Sequence, residues 1–190
     1  MPCANDDFAA LSAERRLVIR ASQQIAGCGP RKDWRKALRL LEDVLKRGEV
    51  DAALFNVTMK VCGASRRWEE AVSLLRSMRC AGTPPDTISY NTCMDALAKA
   101  GKGEIAVALF DEMAAHGVAR DLVSFNVCLV ALRRHDVGRA LRLLDELARG
   151  AHGASLRPDV VTYSSAISAA ASEGRWEAAL GLLRAMGEAD

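Results

Sequence analysis

Aromatic residues are scarce in this sequence. They make up 5% of its 190 residues, although hydrophobic residues as a whole reach 50%. Strands favour aromatic and β-branched side chains, so this composition argues against a β-sandwich. Proline occurs only 5 times, and a chain this rich in aliphatic residues and poor in proline does not have the composition of a disordered protein. The composition therefore predicts an all-α protein.

The sequence also lacks an excess of charge of either sign. Its 26 basic and 24 acidic residues give a formal net charge of +2, which is not the strongly basic signature of an electrostatic nucleic-acid binder. No uninterrupted apolar run approaches the roughly 18 residues of a membrane span, so no membrane partner is expected. The N-terminus carries Asp6 and Asp7 where a signal or transit peptide would be basic, so no targeting segment can be read.

Residue patterns typical of catalysis or metal binding are missing as well. The 6 Cys contain no Cys-x-x-Cys spacing, and the 3 His lie in predicted turns or loops. Neighbouring acids such as Asp111 and Glu112 are interpreted as solvated helix residues, with no nucleophile arrangement near them. The sequence therefore predicts no enzymatic activity, no metal and no cofactor.

What the sequence does contain is an internal repeat. Similar segments begin at four aspartates spaced by 35, 35 and 38 residues: Asp51, Asp86, Asp121 and Asp159. A second series of small residues recurs out of phase with the first: Ala37, Ala71, Ala106, Ala140 and Ala179. Together the two series divide the chain into an N-terminal cap or tail, 1–17, and five units: 18–51, 52–86, 87–121, 122–159 and a truncated 160–190.

Each unit has helical periodicity twice over. In the third unit Tyr90, Cys93, Met94 and Leu97 fall at i, i+3, i+4 and i+7, and a second apolar stripe follows after a glycine-containing turn. The sequence therefore predicts a right-handed α-solenoid of about five helix–turn–helix repeats of roughly 35 residues. Because the fifth unit is short, we expect either a fragment of a longer array or pairing with another subunit. Four cysteines at equivalent repeat positions are predicted to be buried: Cys28, Cys62, Cys93 and Cys128.

The third unit carries the most specific pattern. It reads ISYNTCMDALAKAG from Ile88 to Gly101 and AVALFDEM from Ala106 to Met113. This pattern resembles the pentatricopeptide repeat. The resemblance implies single-stranded RNA binding at one nucleotide per repeat, read by the fifth and the last residue of each unit. On this sequence these residues form the pairs Asn56 with Asp86, Asn91 with Asp121, and Asn126 with Asp159.

In this family the combination of Asn and Asp favours uracil, so the resemblance implies a preference for U-rich RNA. It also implies that the second residue of a unit presses an aliphatic side chain on the base, at Ile88, Val123 and Val161. Ser164 is the fifth residue of the last unit and has no aspartate partner. Lys99 and Arg134 are predicted to meet phosphate. Mitochondrial or chloroplast localisation and a role in RNA processing, stability or translation are implied by the family alone.

The same residues also have structural explanations that need no RNA. Aspartate is a favoured N-cap, so helix capping explains Asp86, Asp121 and Asp159 without any RNA. Capping does not explain an Asn repeated in the first helix at one register, because Asn lowers helix propensity. Trp34, Trp68 and Trp176 are predicted to be packed in the core. The alternative function is a helical-repeat scaffold that binds a protein partner, which the weak net charge favours.

Overall fold

The structure is a computed structural model, and it describes residues 13–47, 50–133, 135–153 and 156–189. These residues form ten α-helices and contain no strand, which agrees with the all-α prediction. The helices are α1 Ala13–Cys28, α2 Trp34–Leu45, α3 Ala52–Ala64, α4 Trp68–Cys80, α5 Thr87–Lys99, α6 Gly103–Ala115, α7 Leu122–Leu132, α8 Val137–Ala148, α9 Val160–Ser172 and α10 Trp176–Ala189.

The chain divides into two compact units, Met1–Ala96 and Leu97–Asp190. In the first unit α1 packs against α2, and α3 packs against α4, so that each pair forms a hairpin. In the second unit α7 pairs with α8 and α9 with α10 in the same way. The first helices of neighbouring hairpins also pack together, α1 against α3 and α7 against α9. Each unit is therefore built from stacked helical hairpins.

The starts of the first helices follow from their N-caps. Four of them begin at Ala52, Thr87, Leu122 and Val160, each directly after one of the repeated aspartates. The second to fifth predicted units start at these same four residues. The helix α1 differs, because it begins at Ala13 and includes residues that the prediction assigned to an N-terminal tail. Those residues read Ala-Glu-Arg-Arg-Leu, all good helix formers, which explains the upstream extension.

Small residues line the hairpin cores as the pattern predicts. Ala37, Ala71, Ala106 and Ala140 have no exposed surface, so the helices approach closely at these positions. The four repeated cysteines are buried, as predicted. Burial raises the pKa of the Cys62 and Cys128 thiols to about 12, so both remain protonated and unreactive at neutral pH.

The core prediction for tryptophan is wrong for Trp176, which is 65% exposed. The equivalent residue of the preceding hairpin, Val137, is buried, and α9 packs against the helix that carries it. No described helix covers the corresponding side of α10, so Trp176, Leu180 and Leu183 remain exposed there. Trp34 and Trp68 are half-buried, so the prediction is only partly correct for these two.

The turns inside four of the hairpins contain a residue in the left-handed conformation. Glycine occupies this position at Gly101 (φ 74°) and Gly174 (φ 72°), whereas the first two hairpins place Lys32 (φ 53°) and Arg66 (φ 56°) there. A side chain in this conformation costs about 1 kcal/mol or more. The two strained residues are both basic.

Replacing Gly103 with Ala should destabilise the second unit. Gly103 is the buried first residue of α6, and a Cβ atom there would overlap with the backbone oxygen of Ala131 and the ring of His135. Because one of these atoms belongs to the backbone, the clash cannot be relieved by a rotamer change, and we expect a loss of about 1–3 kcal/mol in the free energy of unfolding. Urea denaturation followed by circular dichroism measures this loss.

Gly181→Ala is the matched control. No atom lies within 4 Å of a Cβ built at Gly181, and alanine favours a helix interior over glycine by about 0.5–1 kcal/mol. We expect this variant to be at least as stable as the wild type. A Gly103→Ala protein as stable as Gly181→Ala would show that α6 and α7 do not approach as described.

Candidate nucleic-acid interface

The predicted reading residues occupy one register in successive first helices. Asn56, Asn91, Asn126 and Ser164 are each the fifth residue of α3, α5, α7 and α9. An aspartate precedes the first residue of each of these helices. The helices thus place a carboxylate at their start and a polar side chain one turn later.

The repeated aspartates are N-caps. Oδ1 of Asp86, Asp121 and Asp159 accepts a hydrogen bond from the backbone N–H three residues later, at 2.8 Å in each case. The backbone N–H of each aspartate in turn donates to a hydroxyl at that third residue, at 3.4, 3.2 and 3.1 Å. Each aspartate is therefore part of a reciprocal capping box. Asp51 also caps its helix, with Oδ1 2.8 Å from the backbone nitrogen of Leu54, but without a hydroxyl partner.

The hydroxyl partners are site residues that the sequence reasoning missed. Ser89, Ser124 and Thr162 are completely buried. Their hydroxyls also donate to Oδ1 of the aspartate three residues earlier, at 2.7, 2.8 and 2.7 Å. These bonds fix the carboxylate in one orientation. The signal was present in the sequence, since Asp-x-x-Ser or Asp-x-x-Thr occurs at all three positions.

Two of the predicted Asn and Asp pairs come together within a compact unit. In the second unit, Nδ2 of Asn126 donates to Oδ1 of Asp159 at 3.5 Å. In the first unit, the Asn56 side chain hydrogen-bonds the carboxylate of Asp86. Asn91 lies in the first unit, where it is 8% exposed, and Asp121 lies in the second. In both described pairs the aspartate directly precedes the first helix of the hairpin that follows the asparagine.

Hydrogen bonding keeps the reading aspartates ionised. Burial acts to raise the pKa of Asp86 and Asp159, but the hydrogen bonds from Ser89 and Thr162 and from the paired Asn side chains outweigh it, so that each pKa lies below its ordinary value. A carboxylate that accepts several hydrogen bonds favours its charged form. Both aspartates therefore carry a negative charge at neutral pH.

Two of the repeated asparagines have a side-chain oxygen without a donor among the described residues. Oδ1 of Asn56 and Oδ1 of Asn126 are buried and accept no hydrogen bond from a described residue. A primary amide has two donor hydrogens and an acceptor oxygen, and the aspartate uses only one of the hydrogens. Each side chain thus retains one donor and one acceptor for a further polar group.

Aliphatic side chains beside these amides are exposed. Ile88, Val123 and Val161 have 62%, 54% and 54% of their surface accessible, although they lie in the first turn of helices whose other faces are packed. They are available for contact with a planar apolar group. Ser164 differs from the asparagines, because its hydroxyl donates to the backbone oxygen of Val161 at 3.0 Å.

Basic residues at the ends of the first helices are only partly described. Lys99 is the exposed last residue of α5, and Arg134 lies outside the described residues. Its neighbour Arg133 is held between α7 and α9, since Nη1 of Arg133 lies 3.4 Å from Oγ of Ser168 and Oγ of Ser172 donates to its backbone oxygen at 2.9 Å. Arg133 is thus a basic group at this helix end that was not predicted.

The described residues contain no cluster of three or more His, Cys, Asp or Glu side chains arranged to hold a metal ion. Among the helices that the structure describes, none combines the length and the hydropathy that a bilayer crossing requires.

Two family models match this sequence. One, described as the PPR repeat family, matches residues 50–99 and 85–134, and the other, described as the PPR repeat, matches residues 161–190. Together they cover more than half of the chain. No curated protein matches the sequence significantly.

Solved structures with pentatricopeptide repeats are similar to this chain. The crystal structure of the pentatricopeptide repeat protein PPR10 from maize matches 94% of it at 30% identity with a TM-score of 0.71. PPR10 in complex with an 18-nt psaJ RNA element matches 88% of it at 26% identity with a TM-score of 0.70. This chain spans 25% and 24% of those two chains.

A third similar structure is the PPR domain of Arabidopsis thaliana protein-only RNase P 1, solved in complex with tRNA. It has a TM-score of 0.68 at 16% identity, over 87% of this chain and 86% of that domain, and at this identity it shows the fold alone. The matches confirm the predicted fold class, an α-solenoid of helix–turn–helix repeats.

Acid should weaken the contribution of Asp159 to stability. Because its pKa is lowered in the folded state, the stabilisation is complete above its ordinary pKa of 3.8 and is lost as the pH falls through the folded-state value. We expect Asp159→Ala to cost about 1 kcal/mol at pH 7 and clearly less at pH 2.5. Urea denaturation at both pH values measures the difference.

Asp43→Ala serves as the control, since Asp43 is an exposed residue of α2 that caps no helix. It should change stability by less than about 0.5 kcal/mol at either pH. An Asp159→Ala penalty of equal size at pH 7 and pH 2.5 would contradict a role of the ionised carboxylate.

Proposed function

Because the chain belongs to the pentatricopeptide repeat family, we propose that it binds single-stranded RNA and reads bases with its repeated Asn and Asp side chains. The similarity to PPR10 bound to an RNA element supports this proposal. The observation that carries it is the Asn126 and Asp159 pair, in which the N-cap aspartate of the next hairpin orients the amide. The proposed function is binding without catalysis.

The amide geometry suits a base edge that alternates acceptor and donor. The second Nδ2 hydrogen of Asn126 can donate to a carbonyl oxygen of uracil, and its Oδ1, which has no protein donor, can accept from N3–H after a small side-chain rotation. A buried acceptor left unsatisfied costs about 1–3 kcal/mol, so a base that supplies the missing donor is favoured. Asn56 offers the same groups in the first unit.

The exposed aliphatic residues supply the non-polar part of the proposed contact. Val123 precedes Asn126 by three residues and Ile88 precedes Asn91 by three, so each aliphatic side chain lies about one helical turn from its amide. A base held against such a side chain loses apolar surface to water while its edge meets the amide. Val161 would act in the same way beside Ser164.

The family resemblance implies a uracil preference for the three predicted pairs of Asn with Asp: Asn56 with Asp86, Asn91 with Asp121, and Asn126 with Asp159. Ser164 has a hydroxyl in place of the amide and donates it to its own helix, so we assign the last repeat a weaker selectivity. The family membership favours mitochondrial or chloroplast RNA as the substrate pool and RNA processing, stability or translation as the role.

The alternative proposal is a scaffold for a protein partner. One observation favours it, the exposed apolar side of α10 that carries Trp176, Leu180 and Leu183. A stoichiometric partner that resists RNase treatment and needs these side chains, together with no salt-dependent RNA affinity, would favour this second function over the first.

We expect the chain to bind an oligouridine of about ten nucleotides with micromolar or weaker affinity. Base stacking contributes about 1–3 kcal/mol per base, and the costs of association consume much of this when only three or four repeats contribute. Fluorescence anisotropy with labelled U-rich and A-rich strands measures both affinities. A preference for the A-rich strand would contradict the proposed reading.

The triple change Asn56→Ala, Asn91→Ala and Asn126→Ala should abolish the uracil preference. Each lost base hydrogen bond is worth about 0.5–1.5 kcal/mol, so the affinity for oligouridine should fall roughly tenfold or more, while that for A-rich RNA changes less. The control is Ser73→Ala with Ser77→Ala, which removes neutral polar groups from α4 instead. Equal uracil preference in the wild type and the folded triple variant would refute base reading by these residues.

A further inference from the structure

The first compact unit concentrates basic residues at its hairpin turns. Seven of them form what we call the basic turn edge, and all are exposed: Arg31, Lys32, Arg35, Lys36, Arg39, Arg66 and Arg67. Arg31 and Lys32 lie in the α1–α2 turn, and Arg66 and Arg67 lie in the α3–α4 turn. The others follow along the exposed side of α2, opposite the buried residues Ala37 and Leu41.

The edge is continuous across two hairpins. The guanidinium of Arg67 lies 4.5 Å from the ring centroid of Trp34, and that of Arg35 lies 4.9 Å from the same ring. The half-buried indole thus holds one arginine from each hairpin by cation–π contact. Nε of Arg39 donates to the backbone oxygen of Arg35 at 3.5 Å. These contacts bring the basic groups of both turns to one surface.

The charges of this edge are not neutralised by the protein. None of the seven forms an ion pair with a carboxylate in the part of the chain that the structure describes. The nearest acid within the edge, Asp33, accepts from the backbone nitrogen of Lys36 at 3.2 Å and caps α2. In the second unit four arginines do have carboxylate partners: Arg120, Arg139, Arg149 and Arg175.

Two further features support a role in binding. Lys32 and Arg66 have basic side chains in the left-handed conformation that glycine adopts in other hairpins. Backbone strain of this kind is concentrated at functional sites. An open cleft of about 400 Å³ also adjoins the edge, with Arg31, Lys36 and Gln24 among its lining residues. Asp33 lines the same cleft, where its Oδ1 accepts from the backbone nitrogen of Lys36. The side chains of Arg31 and Lys36 supply the positive charge of the cleft.

We propose that the basic turn edge binds the phosphate backbone of RNA that flanks the bases read by the repeats. It would act without regard to sequence, because it presents charge to phosphates and no fixed amide to base edges. This inference rests on the proposed RNA-binding function and adds a second contact surface to it. The edge would supply the electrostatic attraction that a net charge of +2 does not supply on average.

The test compares two quadruple variants that remove the same charge. The edge variant carries Arg31→Gln, Lys32→Gly, Lys36→Gln and Arg39→Gln, which spares the two arginines stacked on Trp34 and relieves the strained φ of Lys32. The control carries Gln at four exposed arginines that also lack a carboxylate partner among the described residues: Arg76, Arg79, Arg142 and Arg184. Circular dichroism establishes that both variants are folded.

The probes are a labelled ten-nucleotide oligouridine and a 30-mer with ten adenosines on each side of the same ten uridines. Affinity for the 30-mer decreases with salt, so the slope of log affinity against log salt is negative. We expect the magnitude of this slope to be smaller by roughly 2–3 in the edge variant, since each single-strand phosphate contact contributes about 0.7. At 50 mM salt its affinity for the 30-mer should fall about tenfold or more relative to the control. Affinity for the ten-mer and the uracil preference should persist.

Three outcomes separate the possibilities. Equal slopes and affinities for the edge variant and the control overturn this inference, while an intact uracil preference leaves the proposed reading in place. Binding of the 30-mer that depends on the edge and survives the triple Asn→Ala change supports the inference even if the uracil preference is absent. If the edge variant loses binding to vesicles with 30% phosphatidylserine and binds the 30-mer as well as the control does, the edge is a lipid-binding surface and this inference is overturned.

Discussion

One carboxylate oxygen, Oδ1 of Asp159, supports both the fold and the candidate site in the second unit. It accepts hydrogen bonds from the backbone N–H and the hydroxyl of Thr162 at the start of α9, and from the amide of Asn126 in α7. The same atom therefore stabilises a helix terminus, fixes the position of the carboxylate and orients the reading side chain. Because one atom has all three roles, the geometry of the helix cap also determines the position of the Asn126 amide. A change at this aspartate must affect both stability and reading.

The sequence predicted structural features correctly where the same local pattern recurs in several repeats. Asp86, Asp121 and Asp159 were predicted as N-caps from their position before each apolar stripe, and the structure confirms them. The buried hydroxyls of Ser89, Ser124 and Thr162 were missed because each residue is unremarkable by itself, and only its spacing from the aspartate shows its function. That the Asn amides meet these carboxylates could not be derived from local rules, since it depends on how consecutive hairpins pack.

Long-range packing also explains the wrong prediction. Trp176 has the hydrophobicity of a core residue, but a side chain is buried only where another helix covers it. The equivalent residue Val137 is buried, and its helix α8 packs against α9, whereas no described helix covers the side of α10 that carries Trp176. The left-handed residues show a similar limit. Gly101 and Gly174 fit the local preference for glycine in such turns, whereas Lys32 and Arg66 violate it. No local preference predicts those two residues, because the hairpin geometry imposes the conformation on whichever side chain is present.

The candidate site has an electrostatic conflict that its own residues cannot resolve. In the proposed reading, an ionised aspartate orients the amide, so Asp86 and Asp159 would each bring a negative charge toward a ligand whose backbone is itself negative. Selectivity and attraction therefore cannot be maximised by the same side chains. Basic charge has to lie elsewhere, on surfaces that meet phosphates and not base edges. The net charge does not reveal this arrangement. An arginine that is paired with a carboxylate in the second unit adds as much to the net charge as an unpaired arginine in the first unit. A near-neutral repeat protein can thus bind a polyanion only if its charges are segregated in this way.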